Sequence, residues 1–204
     1  MSYGDLESPP VEPPRVSHRK RNLALVLALL ILVAAFAGVY YLNLFGSSKQ
    51  PWLFKGAYGI YSGQTTFLAQ TINFTIRLQI VDFNSTQVEM LTYYSLKTPS
   101  STDTNQTTSW NKLSSNLDYS GPLGLTLSRA YNTTRLVGLN TIDCTAYEYS
   151  GTTQGVNSDL TAFVSRSVGF PVEFTLSVTA AQSSTNLTLD LALVHTNIPG
   201  LVEG

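Results

Sequence analysis

The chain has 204 residues, 12 of them Lys or Arg and 13 Asp or Glu, for a formal net charge of −1. A charge so close to neutral excludes the strongly basic class of nucleic-acid-binding proteins, so no nucleic acid is predicted as a partner. Cys144 is the sole cysteine. This excludes an intrachain disulfide scaffold, and we expect the fold to depend on an apolar core.

Residues 1–21 are predicted to form a disordered, proline-rich and basic tail in the cytosol. The segment Ser8–Arg15 reads SPPVEPPR. Proline fixes φ and removes an N–H donor, which favours extended and solvated chain. The basic run Arg19–Arg21 then adjoins the apolar stretch that follows.

Residues 22–45 predict a transmembrane helix that acts as a signal anchor. Leu23–Phe45 contains no charged side chain. As a helix it would be about 34 Å long, enough to cross a hydrocarbon core of about 30 Å. Because the cations lie before this segment, the N-terminus is expected in the cytosol and the rest of the chain outside, with the lipid bilayer as a partner.

A secretory signal peptide is the alternative interpretation of the same stretch. Ala35-Phe36-Ala37 has the small-x-small pattern of a signal peptidase site, and cleavage after Ala37 would release a secreted domain. The apolar run continues beyond that point to Phe45, which favours retention of the anchor.

A flexible linker is predicted at residues 46–54, an extracellular β domain at 55–198 and a short tail at 199–204. The clearest strand is Thr71–Val81, where alternate residues are apolar, and Thr86–Leu96 is its predicted hairpin partner after a turn at Asp82–Ser85. Before them, Lys55–Tyr61 predicts a first strand, ended by Ser62-Gly63.

The second half predicts strands separated by glycine and serine. Thr98–Ser109 lacks apolar periodicity and predicts a long exposed loop, while Trp110–Leu127 favours no single structure. The later strands are expected at Thr133–Leu139, Thr141–Ser150, Leu160–Val168, Pro171–Ala180 and Leu187–His195. Hairpin spacing without amphipathic helices favours a mainly β fold with one antiparallel meander, either a curved half-barrel or a sandwich.

Asn-x-Ser/Thr sequons are the most specific site signal in the chain. They require an asparagine that a glycosyltransferase can reach on the extracellular side. The glycosylation candidates are Asn73, Asn84, Asn105, Asn132 and Asn186.

No catalytic, metal or cofactor motif is present. His195 is the only histidine beyond the anchor, so a two-histidine metal site is excluded and a nucleophile triad is disfavoured. Cys144 is expected to serve as a small apolar residue in a strand, and a free thiol with a partner is the alternative. The carboxylates are scattered along the chain, and a glycosidase-like pair stays open because spatial neighbours are invisible in sequence.

Tyrosines could line a ligand cleft, although they are also good sheet formers. They are Tyr58, Tyr61, Tyr93, Tyr94, Tyr147 and Tyr149.

The β domain resembles the incomplete barrels of LolA-type lipoprotein carriers. The resemblance rests on the KGAYGIY strand, the Thr71–Leu96 hairpin and the run AYEYSG, SVGFPVEFTL and LTLDLALVHTNI, within Lys55–Ile198. It implies a concave sheet that holds an apolar ligand. The chain departs from that family because it has no lipobox cysteine at its membrane end. In composition it also resembles small single-pass surface proteins of archaea.

These patterns together predict a non-enzymatic, membrane-anchored extracellular module that binds a partner in a membrane or envelope complex. The alternatives are a carrier or sensor of an apolar ligand and, third, a hydrolase with an unrecognised carboxylate site.

Overall fold

Alternation of apolar and polar residues builds the strands of this protein. The computed structural model describes residues 51–67, 70–112, 125–153, 156–180 and 186–201. The predicted transmembrane helix at 22–45 and the tail before it lie outside the described residues. By its internal contacts the chain divides into Met1–Leu32 and Val33–Gly204, and every described residue belongs to the second unit.

Nine strands make up the regular structure of the described residues. They are β1 (Tyr58–Phe67), β2 (Gln70–Phe83), β3 (Gln87–Lys97), β4 (Thr102–Lys112), β5 (Thr126–Val137), β6 (Asn140–Thr153), β7 (Val156–Ser165), β8 (Pro171–Ala180) and β9 (Asn186–Thr196). No helix in this part of the chain is long and apolar enough to cross a membrane.

The strands form one antiparallel sheet in the order β4-β3-β2-β1-β9-β8-β7-β6-β5. The mainly β, antiparallel prediction is therefore confirmed. The sandwich alternative is wrong for the described residues, because all nine strands belong to one sheet. The single meander is also too simple: β1–β4 and β5–β9 are two meanders, and β1 pairs with β9 to join them.

One face of the sheet, here called the apolar face, carries most of the core. It is set by β2, where Ile72, Phe74, Ile76, Leu78 and Ile80 are all buried. Residues directly opposite one another in an antiparallel pair share a face. The apolar face therefore continues onto the β1 and β3 residues that pair with this set. Through the pairing of β1 with β9, it continues further onto β9, β8 and β7. Its buried members beyond β2 include Tyr61, Met90, Tyr94, Leu96, Leu160, Phe174, Leu176, Leu187, Leu189, Leu191 and Leu193.

The apolar face ends at β4. Asp103, Asn105 and Thr107 are the β4 residues that pair with Leu96, Tyr94 and Thr92 of β3. All three are polar and exposed. The core thus stops one strand before the edge of the sheet.

The chain enters the sheet at one end, here called the entry end, where β1 begins and β2 and β9 finish. Trp52 is fully buried and meets the Phe170 ring edge-on with centroids 6.3 Å apart. Backbone hydrogen bonds join Gly56 N to Ile80 O at 2.8 Å and Ile80 N to Ala57 O at 2.8 Å. The chain before β1 is therefore fixed against the last residues of β2.

Strand β4 corrects the predicted loop at Thr98–Ser109. Residues 102–112 pair with β3 in unbroken register, and only the turn around Thr98–Ser101 is irregular. The prediction failed because β4 is an edge strand with both faces exposed over Thr102–Trp110. Without a buried face there is no selection for the apolar alternation that marks a strand.

The first strand also differs from its predicted bounds. β1 continues through Ser62-Gly63, the predicted turn, as far as Phe67. At Gly63 an added Cβ would collide with the backbone carbonyl oxygen of Asp190. This glycine serves the close approach of β9 to β1, not a turn.

The other strands follow the predictions with shifted ends. The Thr71–Val81 and Thr86–Leu96 hairpin is confirmed, although β2 extends to Phe83 before its turn. The strand expected at Thr133–Leu139 begins earlier, at Thr126, and ends at Val137.

Candidate functional site

The histidine and the aromatic residues of the entry end form the main polar cluster around β1. The Tyr58 hydroxyl and His195 Nδ1 share a hydrogen bond of 2.8 Å. Their rings are nearly parallel, at 6°, with centroids 5.7 Å apart. The Arg77 guanidinium lies 4.9 Å from the centre of the Tyr58 ring.

Hydrogen bonds between side chains and the backbone fix this cluster in place. Tyr58 N donates to Asn197 Oδ1 at 2.8 Å, and Asn197 Nδ2 donates to Gly56 O at 2.9 Å. Thr196 Oγ1 donates to Tyr58 O at 2.5 Å. The tyrosine and the histidine are thus held at the junction of the two meanders. Within the described ranges, the side chain of His195 hydrogen-bonds to the Tyr58 hydroxyl, and no nucleophile and carboxylate flank the imidazole as a catalytic triad requires.

Five large apolar side chains are exposed among the described residues, and all lie towards the entry end. They are 41 to 98% exposed, and we call them the apolar rim: Val81, Trp110, Leu136, Leu139 and Val194. Leu136 and Leu139 flank the β5–β6 turn, Trp110 is near the end of β4, and Val81 and Val194 are near the ends of β2 and β9.

Each rim valine lies beside a β-bulge, on the face opposite the buried residue that precedes it. The β2–β3 register shifts between Ile80 and Asp82, which leaves Val81 as the additional residue. The β1–β9 register shifts at the same end of the sheet and leaves Val194 without a partner on β1. Ile80 and Leu193, the residues just before them, are buried, so ordinary alternation already directs both valines to the opposite face. The sequence could not show that strand pairing brings them to the same end of the sheet as the other rim residues.

The predicted aromatic residues do not share one cleft. Tyr61 and Tyr94 lie on the apolar face, and so does Tyr149, whose pKa is raised by burial. Tyr58 and Tyr93 are on the opposite face, where Tyr93 pairs with Arg77 in the ladder. The alternation of each strand separates them.

The glycosylation candidates lie at different positions in the sheet, and their positions do not test whether they carry glycans. Asn73, Asn105 and Asn132 are exposed within β2, β4 and β5. Asn84 lies in the β2–β3 turn, where its Oδ1 accepts hydrogen bonds from Thr86 N at 2.9 Å and Gln87 N at 2.8 Å. Asn186 is the first residue of β9.

Cys144 lies in a strand, as expected, and is buried on the face opposite the apolar face. Desolvation raises the pKa of its thiol to about 11, so the reactive thiolate is disfavoured. Its Sγ donates to Ile142 O at 3.4 Å.

The ion pair of Arg135 and Glu173, beside Cys144, is the arrangement in the described chain that most resembles a catalytic acid. Arg135 Nε lies 3.3 Å from Glu173 Oε1, and the guanidinium lies 3.5 Å from the centre of the Phe163 ring. The Nε makes no directed hydrogen bond, so charge and ring contact hold the pair. Burial raises the pKa of Glu173, while Arg135 lowers it and nearby Asp190 raises it further. Because Arg135 occupies this carboxylate, the pair fits a structural role better than acid catalysis.

Among the described residues, no three His, Cys, Asp or Glu side chains are placed to hold a metal ion.

Comparison with known proteins assigns no family. No protein-family model matches the chain, and no curated protein matches it. A solved structure described as an outer membrane lipoprotein-sorting protein domain, from Vibrio parahaemolyticus, aligns with 12% identity and a TM-score of 0.27 over 73% of this chain and 87% of that chain. A TM-score of this size does not establish a shared fold, so the LolA-type resemblance stays a prediction.

Proposed function

We propose that the protein is a non-enzymatic binding module, held at the outer face of a membrane by Leu23–Phe45 and directed with its entry end towards the bilayer. The observation that carries this proposal is the apolar rim. Its five side chains are exposed at the end of the sheet where Trp52 and the chain before β1 are fixed.

The distribution of the rim favours a planar contact surface. Its members are distributed from β4 through β2 and β9 to the β5–β6 turn, so they span the sheet and do not form one patch. A plane can touch points along the end of a sheet at once. Tryptophan is also common at the membrane interface, where one end of a side chain is apolar and the other is wet.

A depth measurement tests the orientation. In a Cys144→Ala background, full-length protein in vesicles is labelled with a fluorophore at Leu139→Cys in the rim. The matched control carries the label at Ser100→Cys, in the β3–β4 turn at the opposite end. Quenchers attached to lipid headgroups should quench the label at residue 139 several-fold more than that at residue 100. Equal quenching, or stronger quenching at residue 100, would contradict the orientation.

A second candidate function, binding of an apolar ligand, is favoured by the apolar face. Its buried side chains extend across seven neighbouring strands, from β3 to β6 in the order of the sheet, and the described chain supplies no second sheet over them. Such a face fits a carrier or sensor of an apolar ligand. Saturable binding of a fluorescent fatty acid, weakened by Leu189→Asn but not by the exposed control Thr188→Asn, would support it. Binding that both variants leave unchanged would contradict it.

A further inference from the structure

Three arginines of the described chain stack on aromatic rings, and their surroundings differ in charge. Arg135 lies over Phe163 and pairs with Glu173. Arg129 lies 4.6 Å from the centre of the Tyr131 ring, and its cross-strand neighbour is Glu148. Each of these two guanidinium groups therefore has a carboxylate nearby.

The third arginine, Arg77, lies in a cluster with a histidine, whereas each of the other two has a carboxylate beside it. It stacks on Tyr58, whose hydroxyl meets His195, and it pairs in the ladder with Ile60 and Tyr93. The salt bridges among described residues involve Lys55 with Asp82 and Arg135 with Glu173, so Arg77 takes part in neither. Its positive charge has no counterion in this part of the chain.

The guanidinium is also partly withdrawn from water. Arg77 is half-buried, and its Nε is a buried nitrogen with no hydrogen-bond partner. A buried donor without a partner costs about 1–3 kcal/mol, and more when it is charged. An arginine in this state gains from any oxyanion that reaches it, because the planar fork binds phosphate and carboxylate oxygens bidentately.

We propose that Arg77, Tyr58 and His195 form a binding site for a phosphate-class oxyanion. Arg77 supplies the fixed positive charge. In the tautomer that accepts the Tyr58 hydroxyl hydrogen at Nδ1, exposed His195 carries its own hydrogen at Nε2, and this tautomer supplies the second donor of the proposed site. Hydrogen bonds from Tyr58 N to Asn197 and from Thr196 to Tyr58 O fix the backbone of Tyr58, and the bond between the Tyr58 hydroxyl and His195 Nδ1 holds the two rings together.

The phosphate has two possible sources, a phospholipid headgroup and free phosphate. Val194 of the apolar rim immediately precedes His195, which places the site beside the surface proposed to meet the bilayer. The binding chemistry at Arg77 does not depend on that orientation, so the site and the proposed function can fail separately.

The test uses the full-length chain in maltoside micelles with isotope-labelled histidine. The chain has two histidines, and His18 in the tail serves as an internal control. Inorganic phosphate is titrated against chloride at constant ionic strength, and a parallel arm uses vesicles of phosphatidylglycerol. We expect a saturable change at the His195 imidazole and none at His18.

Substitutions at Arg77 and at Arg129, which both stack on a tyrosine ring, test whether Arg77 binds the oxyanion. Arg77→Gln should weaken binding at least about tenfold, and Arg77→Lys, which keeps the charge without the fork, should weaken it less. Arg129→Gln, the matched control, should change affinity less than about twofold. The lysine variant keeps the test valid if the glutamine variant folds poorly.

Each outcome decides the proposal. Saturation by free phosphate alone identifies a soluble ligand, and saturation by vesicles identifies a headgroup; both support the site. Affinity that Arg77→Gln leaves intact, no saturable response in either arm, or acetate binding as tight as phosphate would overturn it.

Discussion

At the scale of single residues, charges on the face opposite the apolar face decide local chemistry. Lys55 Nζ lies 2.8 Å from Asp82 Oδ1. This hydrogen bond is the largest of the effects that lower the pKa of the Asp82 carboxyl. Glu173 shows the reverse shift, because burial outweighs the attraction of Arg135. The two carboxylates therefore have opposite effects on stability as pH changes.

The raised pKa of Glu173 gives a pH prediction. A carboxyl whose pKa is higher in the folded than in the unfolded chain stabilises the fold at low pH, and this stabilisation is lost as pH rises through the folded value. We therefore expect the free energy of unfolding of the natural chain, relative to Glu173→Gln, to fall as pH rises above about 4, the ordinary value of a glutamate carboxyl, and through the raised pKa of the folded chain.

Urea unfolding of both proteins across that range measures the difference, and the groups common to both cancel. Asp103→Asn, which removes an exposed carboxylate and leaves the ion pair intact, is the control for a lost acid elsewhere. A relative stability that rises with pH would mean that Arg135 outweighs burial and that the pKa of Glu173 is lowered.

At the scale of elements, the contact between β1 and β9 joins the two meanders. Because the chain would otherwise consist of two separate sets of hairpins, this pair makes one sheet. Two glycines of β1 allow the approach. At Gly59 an added Cβ would lie 2.9 Å from Cε1 of Phe170, while at Gly63 it would meet the backbone of Asp190.

We predict that Gly63→Ala is more damaging than Gly59→Ala. At Gly63 a carbonyl of β9 must move, which strains the ladder, so we expect a loss of about 3 kcal/mol in unfolding free energy. At Gly59 the neighbour is the edge of a ring that can shift, and about 1 kcal/mol is expected. Chemical denaturation of both variants gives the comparison, and equal losses would show that the β1–β9 approach is not constrained at Gly63.

At the scale of the whole molecule, the proposed orientation depends on the predicted anchor and on the sheet end that receives the chain. The apolar segment is joined to Trp52 by a few residues only. If Leu23–Phe45 is retained, the sheet has little freedom to move away from the membrane, and its entry end is the end that meets lipid. If the chain is cleaved after Ala37, this constraint disappears.

Retention of the anchor is predicted, and the mature N-terminus tests it. Mass spectrometry of the protein isolated from its own cells should recover peptides from residues 1–21, and protease added to intact cells should remove the β domain. Ala37→Leu, which blocks the small-x-small site, should change the mass only by the atoms that the substitution adds. A natural chain that begins at Gly38, together with a longer Ala37→Leu chain, would establish the secreted form.

Periodicity predicted the strands that have one buried face, and it failed where that condition does not hold. Thr71–Val81 and Leu187–His195 alternate because one side of each meets the core, so the sequence alone identifies them as strands. Strand β4 has no buried side, and its polar residues resemble a loop. The pairs that build the candidate site were equally invisible: Tyr58 and His195 are 137 positions apart, and they meet only because β1 pairs with β9.

The amino-acid sequence by itself determined the β class, the antiparallel hairpins, the strand position of Cys144 and the absence of a recognisable catalytic motif, since these depend on local alternation and composition. The tertiary structure decided the joining of two meanders into one sheet, the position of the apolar rim and the meeting of Arg77, Tyr58 and His195. Long-range strand pairing sets these features, and it leaves no periodic signal in the residues that take part.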